Sequence, residues 1–193
     1  MTTAQRFTVK QANSPTDLTA IRSLFTDYAS SLGIDLSFQN FTAELDSLPG
    51  LYAPPFGALF LALASNSEAI GCVGVRPLPR KPKPKPKTKP CASREAVEDD
   101  VGLGTQKKIC EMKRLYCTPS SRGLGVGKAL IEEVIKEAMR LGYEEMRLDT
   151  LPSMEGARKL YGKYGFEEME AYYETPLEGT SFLRKKLGRH ERE

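Results

Sequence analysis

A chain of 193 residues with 40% apolar and 8% aromatic side chains has the size and composition of one globular domain around its own core. Its longest apolar run, Ala58–Ala64, falls far short of the roughly 20 residues of a membrane helix. The opening MTTAQRFTVKQ has neither a secretory apolar stretch nor the glycine that myristoylation requires, so a cytoplasmic protein with no membrane partner is expected. The net charge of +3 has a local source: residues 79–108 hold nine basic residues against four acidic ones, which leaves the rest at net −2. A body that is not basic argues against nucleic acid as a partner.

In chain order, Phe7–Gln11 alternates as a short strand does. Ser14-Pro15 then reads as the cap and first turn of a helix carrying Leu18, Ile21, Leu24, Phe25 and Tyr28 at helical spacing. A second amphipathic stretch with Phe38, Phe41, Leu45 and Leu48 ends at Pro49-Gly50. Two apolar runs, Ala58–Ala64 and Ala69–Val75, joined by Ser65-Asn66-Ser67-Glu68, have the form of a β-hairpin.

The alternating Lys-Pro segment and acidic return at about 79–107 can form neither helix nor ladder, because proline lacks the N–H and the lysines repel one another. It is expected to be a flexible insertion in a single 1–193 domain, which adds little closure entropy. A nuclear-localisation or docking role is the sharper alternative for it. After it come a strand over Ile109–Thr118, a glycine-rich turn over Pro119–Gly127 and a helix from about Gly125 to Leu141, with Gly142 as its stop. Val126, Leu130, Val134 and Ala138, with Ile131, Ile135 and Met139, form that helix's apolar stripe. A strand over Glu145–Asp149, a helix over Ser153–Tyr164 and a strand over Ser181–Leu187 complete the chain. The order β-α-α-β-β-β-α-β-α-β indicates an α/β fold, with a mixed sheet and helices packed on its faces.

The four cysteines, Cys72, Cys91, Cys110 and Cys117, contain no C-x-x-C pair, and the single histidine, His190, lies three residues from the end. That set does not supply the paired ligands of a structural zinc site, so no metal is expected. It also leaves no histidine for a Ser/His/Asp arrangement or for activating a thiol.

The informative unit is the strand–loop–helix ICEMKRLYCTPSSRGLGVGKALIEEVI. Gly123, Gly125 and Gly127 let the backbone approach a ligand closely, and the loop opens into a helix N-terminus whose N–H groups and dipole attract phosphate. Arg122 and Lys128 add positive charge, so a diphosphate-bearing ligand is the natural occupant. A Walker loop would need Gly at 122 and Ser or Thr at 129, where Arg122 and Ala129 stand. A dinucleotide fingerprint would need a third glycine where Lys128 stands.

Arg122-Gly-Leu-Gly125-Val-Gly127 resembles the Q/R-x-x-G-x-G/A loop of GNAT N-acetyltransferases. Ala157–Phe166, ARKLYGKYGF, resembles the A-x-x-L-Y-x-x-x-G-F segment of the same superfamily, at the usual separation. The resemblance is strong over residues 109–187. It implies a mostly antiparallel mixed sheet flanked by helices on both faces, and acetyl-CoA as co-substrate on Leu115, Tyr116, Cys117, Arg122, Gly123, Leu124, Gly125, Val126, Gly127 and Lys128. Backbone N–H groups at 115–117 would hold the pantetheine and thioester carbonyl; oxyanion donors of this kind are worth roughly 3–4 kcal/mol each. Glu111, eleven residues before Arg122, matches the general base of one branch of the family, with pairing to Lys113 or Arg114 as the structural alternative. Tyr161 matches the general acid that protonates the departing thiolate. Met154 stands where many relatives carry a cofactor-binding Asn. The implied activity is direct acetyl transfer to a primary amine of a small molecule or peptide, by a monomer or homodimer. A non-catalytic CoA sensor or docking module is the rival. The acceptor would be shaped by Tyr28–Phe41, by Leu51–Phe56 and by the segment after the last helix.

Overall fold

The computed structural model describes residues 7–78 and 108–188. The insertion expected at 79–107, Cys91 and His190 lie outside the described residues. Seven strands form one sheet: β1 (Phe7–Gln11), β2 (Ala58–Ala64), β3 (Ala69–Pro77), β4 (Ile109–Cys117), β5 (Glu145–Thr150), β6 (Glu167–Met169) and β7 (Ser181–Lys186). Their spatial order is β1-β2-β3-β4-β5-β7-β6, and every neighbouring pair is antiparallel except β4–β5. This is the mixed, mostly antiparallel α/β sheet that the sequence predicts.

Helix α1 (Pro15–Leu32) starts where Ser14 accepts from the Asp17 N–H while the Asp17 carboxylate accepts from the Ser14 N–H, a reciprocal capping box. It packs Ile21, Leu24 and Phe25 against one face of the sheet, on Leu59, Leu61, Cys72 and Tyr116. Helix α3 (Val126–Arg140) lays Val126, Leu130, Ile131, Val134 and Ala138 on the opposite face, over Phe60, Val73, Val75 and Met112. Gly142, at φ +79°, ends α3: its N–H reaches Met139 O, and Tyr143 N–H reaches Ala138 O. Helix α4 (Glu155–Lys163) joins the α3 side through Ala157, Leu160 and Tyr161. Helices therefore cover both faces.

Three details differ from the sequence expectation. The second amphipathic stretch is a 3₁₀ turn at Ser37–Gln39, a short helix α2 (Phe41–Asp46) and a second 3₁₀ turn at Gly50–Tyr52. Asn40, in the left-handed region at φ 55°, breaks its continuity. Helix α4 begins two residues later than its first polar residue suggests. Strand β6, three residues long, is additional. It carries Glu167 and Glu168 on the sheet edge, a composition that gives no strand signal.

Candidate active site

Strand β4 builds the site by departing from regularity twice. Its antiparallel register with β3 runs Val75↔Met112 and Gly74↔Lys113, then Cys72↔Tyr116, so Arg114 and Leu115 together oppose Val73. This is a β-bulge, and Arg114 sits in it at φ 60°. On its other edge β4 pairs with β5 only over Ile109–Glu111 and Glu145–Arg147. The C-terminal halves of the two parallel strands part, leaving main chain from Met112 onward open toward β5.

Two connected spaces fill that parting. An outer groove of about 970 Å³ is lined by Leu115, Tyr116, Cys117, Arg122, Gly123, Gly125, Val126, Gly127 and Lys128 from β4 and the glycine loop. Its far wall comes from α4, with Ser153–Ala157 and Leu160, and from Tyr28 and Leu32 of α1. Nine of the ten loop and strand residues that the sequence singles out for the cofactor thus share one groove. Leu124 is the exception: its side chain points to solvent at 43% exposure. Gly123 and Gly125 have φ +79° and +87°, and a Cβ on either would meet nothing within 4 Å, so the bare backbone faces open space. Gly125 is the N-cap of α3, no side chain caps that terminus, and no acidic residue lies in its first turn. Arg122 and Lys128 are exposed beside it. An uncapped helix start with added positive charge is electrostatically arranged for an external anion.

The inner chamber lies in the parting itself, lined by Met112, Lys113, Arg114, Leu115, Asp149, Thr150 and Tyr161, with Leu36 and Gln39 from the segment after α1 and Leu177 from the segment before β7. Of the acceptor-shaping regions expected from the sequence, Leu51–Phe56 contributes no lining residue to it among the described residues. Tyr161, only 5% exposed, packs edge-on to Phe166 with ring centroids 5.7 Å apart. Burial pushes its phenol far above the ordinary tyrosine range, so it is protonated at neutral pH. Burial also pushes the Cys117 thiol up to about 11, against the opposing charge of Arg122.

Glu111 lines neither space. It is 2% exposed on the α1 face of the sheet, where its Oε2 takes bonds from Arg76 Nε (3.0 Å) and Nη2 (2.9 Å) and its Oε1 takes the Tyr172 hydroxyl at 2.8 Å. Its main ion-pair partner is Arg76, across the strand pair, with Lys113 3.8 Å away. Two further ion pairs lie on the same face. Lys113 Nζ is 2.8 Å from Asp149 Oδ1, and Arg114 reaches the Glu44 oxygens with Nε at 3.1 Å and Nη2 at 2.8 Å. Tyr52 donates to Glu44 at 2.7 Å. Burial acts to raise the Asp149 pKa, but the adjacent Lys113 outweighs it and holds the carboxyl below its ordinary value. Sequence reasoning named none of Lys113, Arg114 and Asp149 as chamber residues, reached Gln39 only as part of the Tyr28–Phe41 region, and did not single out Glu44, the partner of Arg114. The one local signal was charge inside strands otherwise apolar: KR in ICEMKRLYC, and R and D in EMRLDT.

A family model described as acetyltransferase (GNAT) family matches residues 18–166. The chain belongs to the GNAT acetyltransferase family. An uncharacterized N-acetyltransferase of Schizosaccharomyces pombe is 34% identical over 175 residues, covering 91% of each chain. Among solved structures, a GNAT-family acetyltransferase of Staphylococcus aureus superposes with a TM-score of 0.66 at 16% identity, covering 94% of this chain and 99% of that one. A phosphinothricin acetyltransferase of Sinorhizobium meliloti, solved with acetyl-CoA, superposes with a TM-score of 0.59 at 17% identity, covering 95% and 89%. Among the described residues, no group of three or more His, Cys, Asp or Glu could hold a metal ion, and no helix is long and apolar enough to cross a membrane.

Proposed function

We propose that this chain transfers an acetyl group from acetyl-CoA to a primary amine of a small molecule or peptide, by direct attack within a ternary complex. The observation that carries the proposal is the cradle at the start of α3. Two positive-φ glycines leave open space at an uncapped helix N-terminus, between Arg122 and Lys128, at the mouth of the β4–β5 parting. The residues present fit a pyrophosphate there, with the pantetheine arm along Leu115–Cys117. Bound acetyl-CoA would supply an acyl group already activated as a thioester.

The chain's own groups then have distinct tasks. The β4 main chain from the bulge onward, over Leu115–Cys117, would offer N–H donors at the inner end of the groove, where they are worth more than in water. Tyr161, protonated and lining the chamber, supplies a proton to the leaving sulfur. Cys117 stays a thiol and acts as a wall. The geometry of Glu111 favours an anchor over a base: its carboxylate already accepts from Arg76 and Tyr172, and it fixes β4 to its neighbours. Glu111→Gln separates the two roles. An anchor loses thermal stability with an unchanged pH–rate profile, whereas a base flattens the acidic limb.

Calorimetry on Gly125→Val tests the cradle. The new side chain would occupy the space facing the groove, so acetyl-CoA affinity should fall below detection while the circular dichroism spectrum is kept. Unchanged affinity would refute the loop assignment.

A further inference from the structure

Among the described residues two buried side-chain polar atoms have no hydrogen-bond partner, Gln39 Oε1 and Thr150 Oγ1, and both side chains line the inner chamber. Folded proteins bond nearly all buried polar atoms, so two orphans in one small chamber mark a place where a ligand's donors are received. They reach it from separate parts of the chain, Gln39 from the 3₁₀ turn after α1 and Thr150 from the end of β5.

The orientation of the Gln39 amide follows from its neighbours. Gln39 Nε2 donates to the Tyr173 hydroxyl at 3.4 Å. Oε1 is the atom left over, an acceptor without a donor. Thr150 Oγ1 accepts as well as donates.

The chamber's cations decide what the ligand lacks. Among the described residues Lys113 and Arg114 are the only basic ones that line it, and each is already held, by Asp149 at 2.8 Å and by both oxygens of Glu44 at 3.1 and 2.8 Å. A carboxylate entering beside the amine would lose its hydration with no free positive charge to receive it. The rest of the lining adds the Asp149 carboxylate and the Tyr28 and Tyr161 phenols to apolar side chains such as Leu36, Leu151, Leu177 and Met112, and none of these supplies a positive charge.

We infer that the chamber selects primary amines whose α-carbon bears no anionic group, with Gln39 Oε1 and Thr150 Oγ1 receiving the amine N–H bonds. This specificity rests on the acetyl transfer proposed above. It separates alkyl amines and amide-linked α-amines from free α-amino acids.

The test is acetyl-CoA-dependent thiol release with two matched pairs, phenethylamine against phenylalanine and isoamylamine against leucine. The amine of each pair should show kcat/KM at least tenfold above its amino acid. Gln39→Leu and the near-isosteric Thr150→Val should each lower kcat/KM for the amine about tenfold at unchanged acetyl-CoA Kd. Equal or reversed preference within the pairs overturns the inference while leaving acetyl transfer standing. A loss in Gln39→Leu that falls equally on acetyl-CoA Kd assigns the residue to folding and overturns its role. Silence with every primary amine overturns the transfer reading itself, a different result from a reversed preference.

Discussion

Removing the Glu44 carboxylate from beneath the β4 bulge should be among the most destabilising single changes in the described fold. The Glu44 and Arg114 side chains are 8% and 2% exposed and joined by two parallel bonds, and the Arg114 guanidinium also lies over the Phe41 ring at 4.9 Å. A pair of charges about 4 Å apart attracts by about 4 kcal/mol at an effective dielectric of 20. Truncating one partner of such a buried pair costs about 3–5 kcal/mol, because the other charge stays buried and unpaired. Glu44→Ala keeps helix propensity in α2, so the loss isolates the carboxylate. At about 2–4 °C per kcal/mol for a chain of this size, Tm should fall by roughly 6–20 °C in scanning calorimetry. The double variant Glu44→Ala/Arg114→Ala should lose far less than the sum of the two single changes.

The effect has a defined pH window. Burial works to raise the Glu44 pKa, but the bonds and charge of Arg114, with help from Tyr52 and Arg76, overcome it, and the net shift is below the ordinary 4.5. A lowered folded-state pKa contributes stability that is complete above 4.5 and is lost as pH falls through the folded value. The Tm gap between wild type and Glu44→Ala should therefore hold steady from pH 7 to 5 and narrow below 4.5. A Tm within 2 °C of wild type at pH 7, or strictly additive single and double losses, would refute the assignment.

Three further outcomes are expected. Ser14→Ala removes the side-chain half of the α1 capping box and should cost about 1 kcal/mol, or about 2–4 °C in Tm, with no change in acetyl-CoA affinity. Tyr161→Phe should lower kcat by about 10²-fold at unchanged acetyl-CoA Kd, and the loss should shrink with a more acidic leaving thiol; equal impairment with good and poor leaving groups would make the residue a packing element. Cys117→Ser should keep kcat close to wild type, since a thiol held near 11 has no nucleophilic role, and loss of turnover in that variant would contradict this.

The parts of the fold set by local pattern were legible in the sequence. The β2–β3 hairpin, the Ser14 cap, α3 with its Gly125 start and its Gly142 stop each rest on residues within a few positions of one another. The loop glycines were legible for the same reason, and the structure places them on a groove. The bulge at Arg114 was not, because it depends on how β3 pairs with β4 and on Glu44, seventy residues away in the chain. The setting of Glu111 was half legible. Charge in an apolar strand signalled an ion pair, and Lys113 does stand 3.8 Å from Glu111, but the closer partner that the fold supplies is Arg76 on the neighbouring strand. The acceptor chamber was legible only as regions: Tyr28–Phe41 and the segment after the last helix line it, Leu51–Phe56 does not, and the individual polar atoms could not be read. Gln39 lies in an irregular turn, and Thr150 ends a strand whose pattern fits an ordinary core residue; only the fold brings their unpaired oxygens together.

The most direct measurement follows the acetyl group itself: mass spectrometry of a panel of primary amines incubated with acetyl-CoA and the protein, read beside thiol release. Acetyl transfer predicts N-acetylated amine formed mole for mole with free CoA, and neither product with Gly125→Val. Tight acetyl-CoA binding with no acetylated amine in any member of the panel would contradict it and leave a CoA-binding protein without transfer.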